Sequence, residues 1–108
     1  MVNSRNDILK FLSEHLNTVS KPGRYIGGEY NSVLKDGKDL LRVALAFPDV
    51  YEVGMSHYGL DILYWLANEL DYAYAERTFL PWPDMVQLME DKGVPLFTLE
   101  TKTPIYEM

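Results

Sequence analysis

The sequence predicts an α/β domain built on a mostly parallel sheet, in the order β-α-β-α-β. Residues 40–47 form a continuous apolar run, which is typical of a strand covered on both faces. Residues 60–70 and 84–92 carry apolar side chains at helical spacing, and strand-like segments follow them at 73–79 and 95–99. This alternation indicates the right-handed crossover units of a doubly wound, Rossmann-like three-layer fold.

An amphipathic helix is predicted ahead of this unit, at residues 4–17. Ser4 is placed to cap it, and Asp7 follows at the spacing of a capping box. The apolar residues of the helix share one face, so it needs a surface to dock on. Residues 20–39 then form a structured lead-in loop, or strap, in which 30–35 is a candidate short strand before a hairpin turn.

The second half of the unit has clear boundary signals. Asp84 is placed to cap the second helix, and Gly93 suits the left-handed residue that ends it. Three strands make a narrow sheet for a doubly wound fold, and no closing helix precedes Met108, so we expect a truncated domain. The predicted organisation is an N-terminal helix at 1–19, the strap at 20–39 and the front part of an α/β domain at 40–108.

Composition excludes several classes of function. Sixteen acidic residues against ten basic ones give a net charge of −6, which disfavours nucleic-acid and anionic-membrane partners. The chain has no cysteine, which excludes disulfides, thiolate metal sites, a cysteine nucleophile and a self-contained iron–sulfur cluster. Without a signal peptide or an apolar run of about 20 residues, the cytoplasm is the expected compartment.

The first candidate site is the loop after the apolar strand. In open parallel sheets, ligands bind outside the carboxyl ends of the strands, and this loop leads into a helix N-terminus that favours anions. The alternative is that Ser56 or His57 only caps the helix while the tyrosines pack its first turn. The candidate residues are Asp49, Tyr51, Glu52, Gly54, Ser56, His57 and Gly59.

A second candidate group lies in the strap and consists of Arg24, Tyr25, Gly27 and Gly28. An arginine flanked by tyrosines suits a carboxylate or phosphate, and paired glycines let backbone amides approach closely. The alternative is a strap whose tyrosines cover a sheet edge.

A third candidate is Trp82 between two prolines, a stiff apolar projection that suits a domain interface or a pocket wall, or else a rigid turn packed on the core. Motifs for metalloproteases, α/β-hydrolases, P-loops and dinucleotide binding are all missing. The residues therefore favour a binding or scaffold module over a complete enzyme.

Five segments with distinctive sequences follow one another along the chain, and they cover much of residues 20–100. In sequence and order they resemble the N-terminal region of large radical S-adenosylmethionine (SAM) proteins that contain a cobalamin-binding domain. The segments are KPGRYIGGEYN at 21–31, RVALAFPDVYEVGMSH at 42–57, AER at 75–77, PWPDM at 81–85 and GVPLF at 93–97.

The resemblance implies that this chain is the front part of a flavodoxin-like, cobalamin-binding-like domain that precedes a radical SAM barrel. The [4Fe–4S] cluster and SAM are then expected only in the rest of the parent protein, while cobalamin is a candidate ligand for this domain. The chain departs from the family's Asp-x-His-x-x-Gly ligand motif: His57 has no Asp two residues before it, and the glycine spacing differs. A lower imidazole ligand from His57 is therefore not expected.

Together these observations predict a non-catalytic N-terminal segment that forms one wall of a ligand or substrate crevice and docks on the radical SAM barrel of the same chain. The alternative is a structural docking module that binds no small ligand. Self-association through the open edge of an incomplete sheet separates the two hypotheses, because a strictly monomeric chain that folds cooperatively would count against the docking module.

Overall fold

The computed structural model describes residues 5–29, 32–36 and 38–108, and its regular part is a two-stranded parallel sheet with helices around it. Short 3-10 turns lie at Leu16–Thr18, Pro22–Tyr25 and Ile105–Glu107. In chain order the other elements are α1 (Arg5–His15), β1 (Leu41–Phe47), α2 (Tyr51–Met55), α3 (Tyr58–Asn68), β2 (Ala73–Phe79) and α4 (Pro83–Lys92).

The two strands run parallel, with Leu41 opposite Ala73 at one end and Phe47 opposite Phe79 at the other. The connection between them passes through α2 and α3, as a parallel crossover requires. The prediction of both strands is confirmed, β2 with the same bounds and β1 to within one residue. The mixed α/β class is confirmed as well.

The predicted third strand at 95–99 is wrong. This segment makes only one isolated bridge with the residues after it. Beside β2, the Arg77 amide donates to a carboxylate oxygen of Glu100 over 2.9 Å, where a third strand would offer a carbonyl. A single backbone bond of 2.8 Å runs from the Leu99 amide to the Arg77 carbonyl. The described residues therefore form two strands rather than the β-α-β-α-β unit.

Other side chains occupy the rest of this outer edge of β2. The Asn68 amide group makes both bonds that a neighbouring strand would make to Ala75, at 2.8 and 3.0 Å. The Lys35 ammonium donates to the Ala73 carbonyl over 2.9 Å, and the Ala73 amide donates to the Leu70 carbonyl over 3.4 Å. From Ala73 to Arg77, the outward groups of β2 are thus satisfied, and we call this the sealed edge.

The other edge of the sheet belongs to β1. The Leu41 amide donates to the Tyr72 carbonyl over 2.8 Å, so the odd-numbered residues of β1 face β2. Because alternate residues of a strand direct their backbone groups to opposite sides, those of Arg42, Ala44 and Ala46 face outward. No backbone partner occupies this side among the residues that the structure describes, and we call it the open edge.

The core is divided in two. One part lies between α1 and α4, and the other lies between the sheet and the helices α2 and α3. The first consists of Ile8, Phe11, Leu12, Val19, Tyr25, Met85, Met89, Val94 and Phe97, and the second of Leu60, Phe79 and Leu99 with Leu45, Phe47, Tyr51 and Met55 beside them.

The three predicted helices are confirmed, although their first and last residues differ from the predicted ones by one or two positions in most cases. Helix α1 is confirmed, ending at His15, but the Ser4 cap lies outside the described residues. Helix α3 begins two residues earlier than predicted, at Tyr58, and the short helix α2 was not predicted. Gly93 ends α4 in the left-handed region, with φ of 67°, as expected.

Two local predictions are wrong. Asp84 does not cap α4: Trp82 is the N-cap residue, and the Asp84 carboxylate accepts a hydrogen bond of 2.8 Å from the Ser20 amide instead. The candidate strand at 30–35 is irregular over residues 32–35, because its groups bond to side chains such as Tyr64 rather than to a strand. Tyr30, Asn31 and the turn residue Gly37 lie outside the described residues.

Candidate functional site

The three candidate segments meet at the carboxyl end of the sheet. The Arg24 Nε donates to a carboxylate oxygen of Glu52 over 2.7 Å, which joins the strap to the loop after β1. The Arg24 guanidinium also lies 4.8 Å from the ring centre of Trp82, in the segment after β2. Groups that sequence analysis treated separately therefore form one cluster, held by a charge-assisted hydrogen bond and a cation–π contact.

The ion pair changes the acid–base behaviour of both partners. The Arg24 side chain is 8% exposed, whereas that of Glu52 is 43% exposed. The hydrogen bond from Arg24 lowers the pKa of Glu52 below its ordinary value, and the same bond raises the pKa of Arg24. Glu52 is thus held ionised, which makes it a partner for Arg24 and a poor proton donor.

Two tyrosines line the same region. The Tyr25 hydroxyl accepts a hydrogen bond of 3.2 Å from the Trp82 amide, and burial raises the pKa of Tyr25. Burial, followed by a hydrogen bond with Glu29, raises the pKa of Tyr51 to about 12. Both phenols therefore stay protonated at neutral pH and act as neutral hydrogen-bonding groups.

A small cavity of about 30 Å³ lies between Arg24, the two tyrosines and the end of β2. This is room for about one water molecule. The Arg24 Nη1 atom is buried and has no hydrogen-bond partner among the described residues. The cluster therefore presents one unused donor beside a space that is far too small for a large ligand.

His57 has the capping role of the alternative interpretation. Its Nδ1 accepts a hydrogen bond of 3.1 Å from the Leu60 amide, and its ring lies 4.8 Å from that of Phe47. A Cβ on Gly59 would lie 2.9 Å from the His57 ring, so this glycine leaves room for the cap. Capping by a side chain typically stabilises a helix by about 1 kcal/mol.

The capping bond also decides whether His57 suits a metal. A neutral imidazole that accepts at Nδ1 carries its proton on Nε2, so neither nitrogen has a free lone pair. The residues present therefore do not fit a lower cobalt ligand from His57. Among the described residues, moreover, no three His, Asp or Glu side chains lie close enough together to hold a metal ion.

The remaining loop residues have local structural contacts. The Asp49 carboxylate accepts a bond of 2.7 Å from the Val50 amide, and the Ser56 hydroxyl donates to the Glu52 carbonyl over 2.9 Å. A Cβ on Gly54 would collide with the Phe79 ring, so this glycine lets α2 lie against the end of β2.

The strap glycines have a different requirement. Gly27 and Gly28 have φ of 81° and 74°, in the left-handed region that glycine tolerates best. A Cβ on Gly27 would also lie 2.6 Å from the Leu99 carbonyl oxygen. These glycines therefore shape the strap and bring it against the chain near Leu99.

Sequence analysis missed Lys102, which fastens the strap. Its ammonium donates to the carbonyls of Ile26, over 2.8 Å, and Leu99, over 2.5 Å. Burial lowers its pKa. Its position between two threonines gives no signal of this role, because the partners are backbone atoms 76 residues away in one case and three in the other.

The described helices include none with the length and apolar character needed to cross a membrane. Comparison with curated proteins finds no match, and comparison with solved structures finds none either. Residues 59–108, from the start of α3 to the last residue, match the family model described as "Radical SAM proteins, N-terminal". The match covers 50 of the 108 residues and supports a radical SAM N-terminal region.

Proposed function

We propose that this chain is the non-catalytic N-terminal segment of a radical SAM protein, and that the carboxyl end of its sheet forms one wall of a crevice closed by the rest of the parent protein. The observation that carries the proposal is the pair of contacts made by Arg24, a 2.7 Å ion pair with Glu52 and a cation–π contact with Trp82, which bring three segments together where α/β sheets bind ligands. The chain has no cysteine, so the thiolates that hold a [4Fe–4S] cluster have to come from elsewhere in such a protein.

The crevice wall supplies binding groups rather than a reactive group. Arg24 offers an unused Nη1 donor, and the tyrosines, whose pKa values burial raises further above neutral pH, are neutral hydrogen-bonding groups. Cobalamin is the ligand that the resemblance implies, and we propose that it binds without an imidazole from His57. The second wall is needed, since neither the cavity of about 30 Å³ beside Arg24 nor the groove of about 330 Å³ beside His57 has room for a corrinoid.

A visible-absorption titration with hydroxocobalamin tests this proposal, using the parent protein in three forms: unchanged, Arg24→Met and His57→Asn. Asn is a good helix cap, so the second variant removes the imidazole while keeping the cap. We expect saturable binding that weakens roughly tenfold in Arg24→Met, the loss of about 1.4 kcal/mol that a charged hydrogen bond contributes. The spectrum should be unchanged in His57→Asn.

Two outcomes would overturn the crevice proposal. An absence of binding to the parent protein would exclude cobalamin as its ligand. Binding that is equal in Arg24→Met and in the unchanged protein would remove the ion-pair cluster from the wall. Urea unfolding of each variant separates loss of binding from loss of structure.

The second candidate function is a docking module without a small ligand, and the surface of α3 favours it. Ile62, Leu63 and Trp65 are 57%, 57% and 60% exposed, although they are large apolar side chains. Contiguous exposed apolar surface usually marks an interaction site. Limited proteolysis of the ligand-free parent protein is the test: fragments that stay together on gel filtration at high salt support docking, and fragments that separate contradict it.

A further inference from the structure

We propose that the open edge of β1 receives a further parallel strand from the parent protein, so that β1 becomes an interior strand of a larger sheet. The inference rests on the proposed function in one respect, namely that a radical SAM parent supplies the strand. Its evidence is separate from the crevice, because it comes from the backbone hydrogen bonds at the two edges of the sheet.

Only one edge of the sheet is available for growth. Along the sealed edge of β2, Asn68 occupies both outward groups of Ala75, while Glu100 and Leu99 occupy those of Arg77. A strand added there would have to displace a buried ion pair. At the open edge, the outward groups of β1 have no backbone partner among the described residues.

The burial of the two strands is the reverse of what their compositions predict, since the more apolar strand is the more exposed one. This reversal is explained if the parent protein covers β1. The sequence of β1, LRVALAF, has one charged residue, yet none of its seven residues is fully buried. The sequence of β2, AYAERTF, includes a Glu and an Arg, yet all seven are buried. Continuous apolar strands are characteristic of positions with neighbours on both sides and helices on both faces.

The adjacent surface extends the same argument to a helix. A groove of about 330 Å³ runs between β1 and α3, beside the open edge. Helix α3 also exposes the apolar side chains of Ile62, Trp65 and Leu66. A strand added at the open edge lies beside this groove, so it covers the edge and one side of the groove together. The groove is lined by Ala44, Leu45, Ala46, Phe47, His57, Gly59, Leu60 and Leu63.

The occupant we infer is an uncharged, apolar strand in the parallel direction. Residues 43–47 carry no charge, so the edge offers nothing to pair with a charged side chain. The existing pair is parallel, and purely parallel sheets are over-represented relative to random expectation. A second copy related by a twofold axis pairs strands antiparallel, and it brings together two chains of net charge −6.

Amide hydrogen exchange at single-residue resolution tests the inference. In the 108-residue chain, the amides of Arg42, Ala44 and Ala46 should exchange quickly, while those of Val43 and Leu45 are protected by β2. In the parent protein we expect exchange at the three outward amides to slow by roughly tenfold or more. The amides that face β2 serve as the internal control.

A pair of proline variants gives an independent readout. Ala44→Pro removes an outward amide, whereas Leu45→Pro removes one that bonds to β2. In the 108-residue chain, we expect Ala44→Pro to lower the unfolding midpoint far less than Leu45→Pro does. In the parent protein, Ala44→Pro should abolish the protection of its outward neighbours, Arg42 and Ala46.

The outcomes are distinguishable from one another and from failure of the crevice proposal. Outward amides that exchange equally fast in the parent protein and the short chain would overturn strand addition. Strand addition would also be overturned if the outward amides of the short chain became protected in proportion to the fraction of dimer seen in sedimentation. That result would show that a second copy of the chain occupies the edge. Neither readout depends on Arg24 or on any ligand, so an edge result stands whatever the cobalamin titration gives.

Discussion

The two strands of the sheet are similar in length and pair along their whole extent, but their environments are opposite. In β2, Glu76 and Arg77 are fully buried in adjacent positions. In β1, Leu41 is 61% exposed and Ala46 is exposed as well. The comparison shows that each buried charge of the polar strand has partners among the described residues, whereas those residues cover the apolar strand only in part.

Glu76 and Arg77 point to opposite faces of the sheet and are stabilised separately. The Glu76 carboxylate accepts hydrogen bonds from Thr98, at 3.0 Å, and Thr101, at 2.5 Å, and it forms an ion pair with Arg42. Buried charges are tolerated when they are paired and fully hydrogen-bonded. On this face, the loop 97–104 takes the place of a helix.

On the other face, Arg77 is surrounded by its own partners. Its Nε donates to Glu100 over 2.8 Å, a second nitrogen donates to Ser32 over 3.0 Å, and the guanidinium lies 4.0 Å from the ring centre of Tyr64. Glu100 is also the group that takes the place of a third strand. The same ion pair therefore buries a charge and closes the edge.

The largest expected effect comes from breaking this ion pair. Arg77→Leu leaves the Glu100 carboxylate buried without its cation, and we expect a loss of about 3–5 kcal/mol in the free energy of unfolding. Urea denaturation measures it. The exposed pair Lys10–Glu14, 4.0 Å apart, is the control, since Lys10→Ala should cost about 0.5 kcal/mol or less. Equal losses in the two variants would contradict the conclusion that burial sets the contribution of the Arg77–Glu100 pair.

A smaller effect is expected from opening the sealed edge. Asn68→Ala removes both bonds to Ala75, and we expect a loss of about 2 kcal/mol from two unpaired backbone groups. It also creates a second open edge, so concentration-dependent association should increase in sedimentation velocity. Asn68→Asp, which retains the acceptor, should lose less stability. An Ala variant as stable and as monomeric as the unchanged chain would show that the amide is not what seals β2.

The ion pair between Arg24 and Glu52, at the carboxyl ends of the strands, is expected to contribute about 1 kcal/mol or less to the free energy of unfolding, because Glu52 is 43% exposed. Arg24 lowers the pKa of Glu52, so the folded state binds fewer protons than the unfolded state just below pH 4.5. The stability that the ion pair contributes is therefore present above pH 4.5, and it is lost as the pH falls through the lowered pKa of Glu52.

Glu52→Gln should remove this part of the acid dependence. Urea midpoints measured between pH 3 and pH 6 give the comparison, and in an Arg24→Met background the Gln change should have no further effect. An acid dependence that is identical with Glu and Gln at position 52 would contradict the assigned role of the pair.

The smallest effect is expected on the apolar surface beside β1. Ile62→Lys replaces a side chain that is 57% exposed, so we expect a change within about 0.5 kcal/mol in the 108-residue chain. In the parent protein the same change should destabilise much more, because a covered position would then carry a charge. Thermal unfolding of both forms measures the difference. If Ile62→Lys changed the stability of both forms by a similarly small amount, this face of α3 would be exposed in the parent protein as well.

Sequence analysis predicted what depends on local pattern. The strand at 73–79 was correct because apolar positions and turn residues define it locally. The third strand was wrong because a side chain, Glu100, competed with the backbone for Arg77. No pattern in one sequence reveals that choice.

The candidate site shows the same division. Helix capping at His57 was among the interpretations because residue type and position indicate it. The pairing of Arg24 with Glu52 was not predicted, since 28 residues separate them and each has many alternative partners. Likewise, the apolar pattern of β1 predicts cover on both faces, whereas the residues that the structure describes leave this strand only partly buried.

The contacts between the beginning and the end of the chain have a consequence for its synthesis. Arg5 donates to the Thr101 carbonyl over 2.5 Å, 96 residues away, and the core under α1 includes Met89, Val94 and Phe97. A nascent α1 therefore has no surface to pack against until these residues leave the ribosome, which takes about 5 to 20 s after α1 itself is made. Throughout that interval, Ile8, Phe11 and Leu12 are an exposed apolar stripe, the part of the newborn chain that a holding chaperone would recognise first.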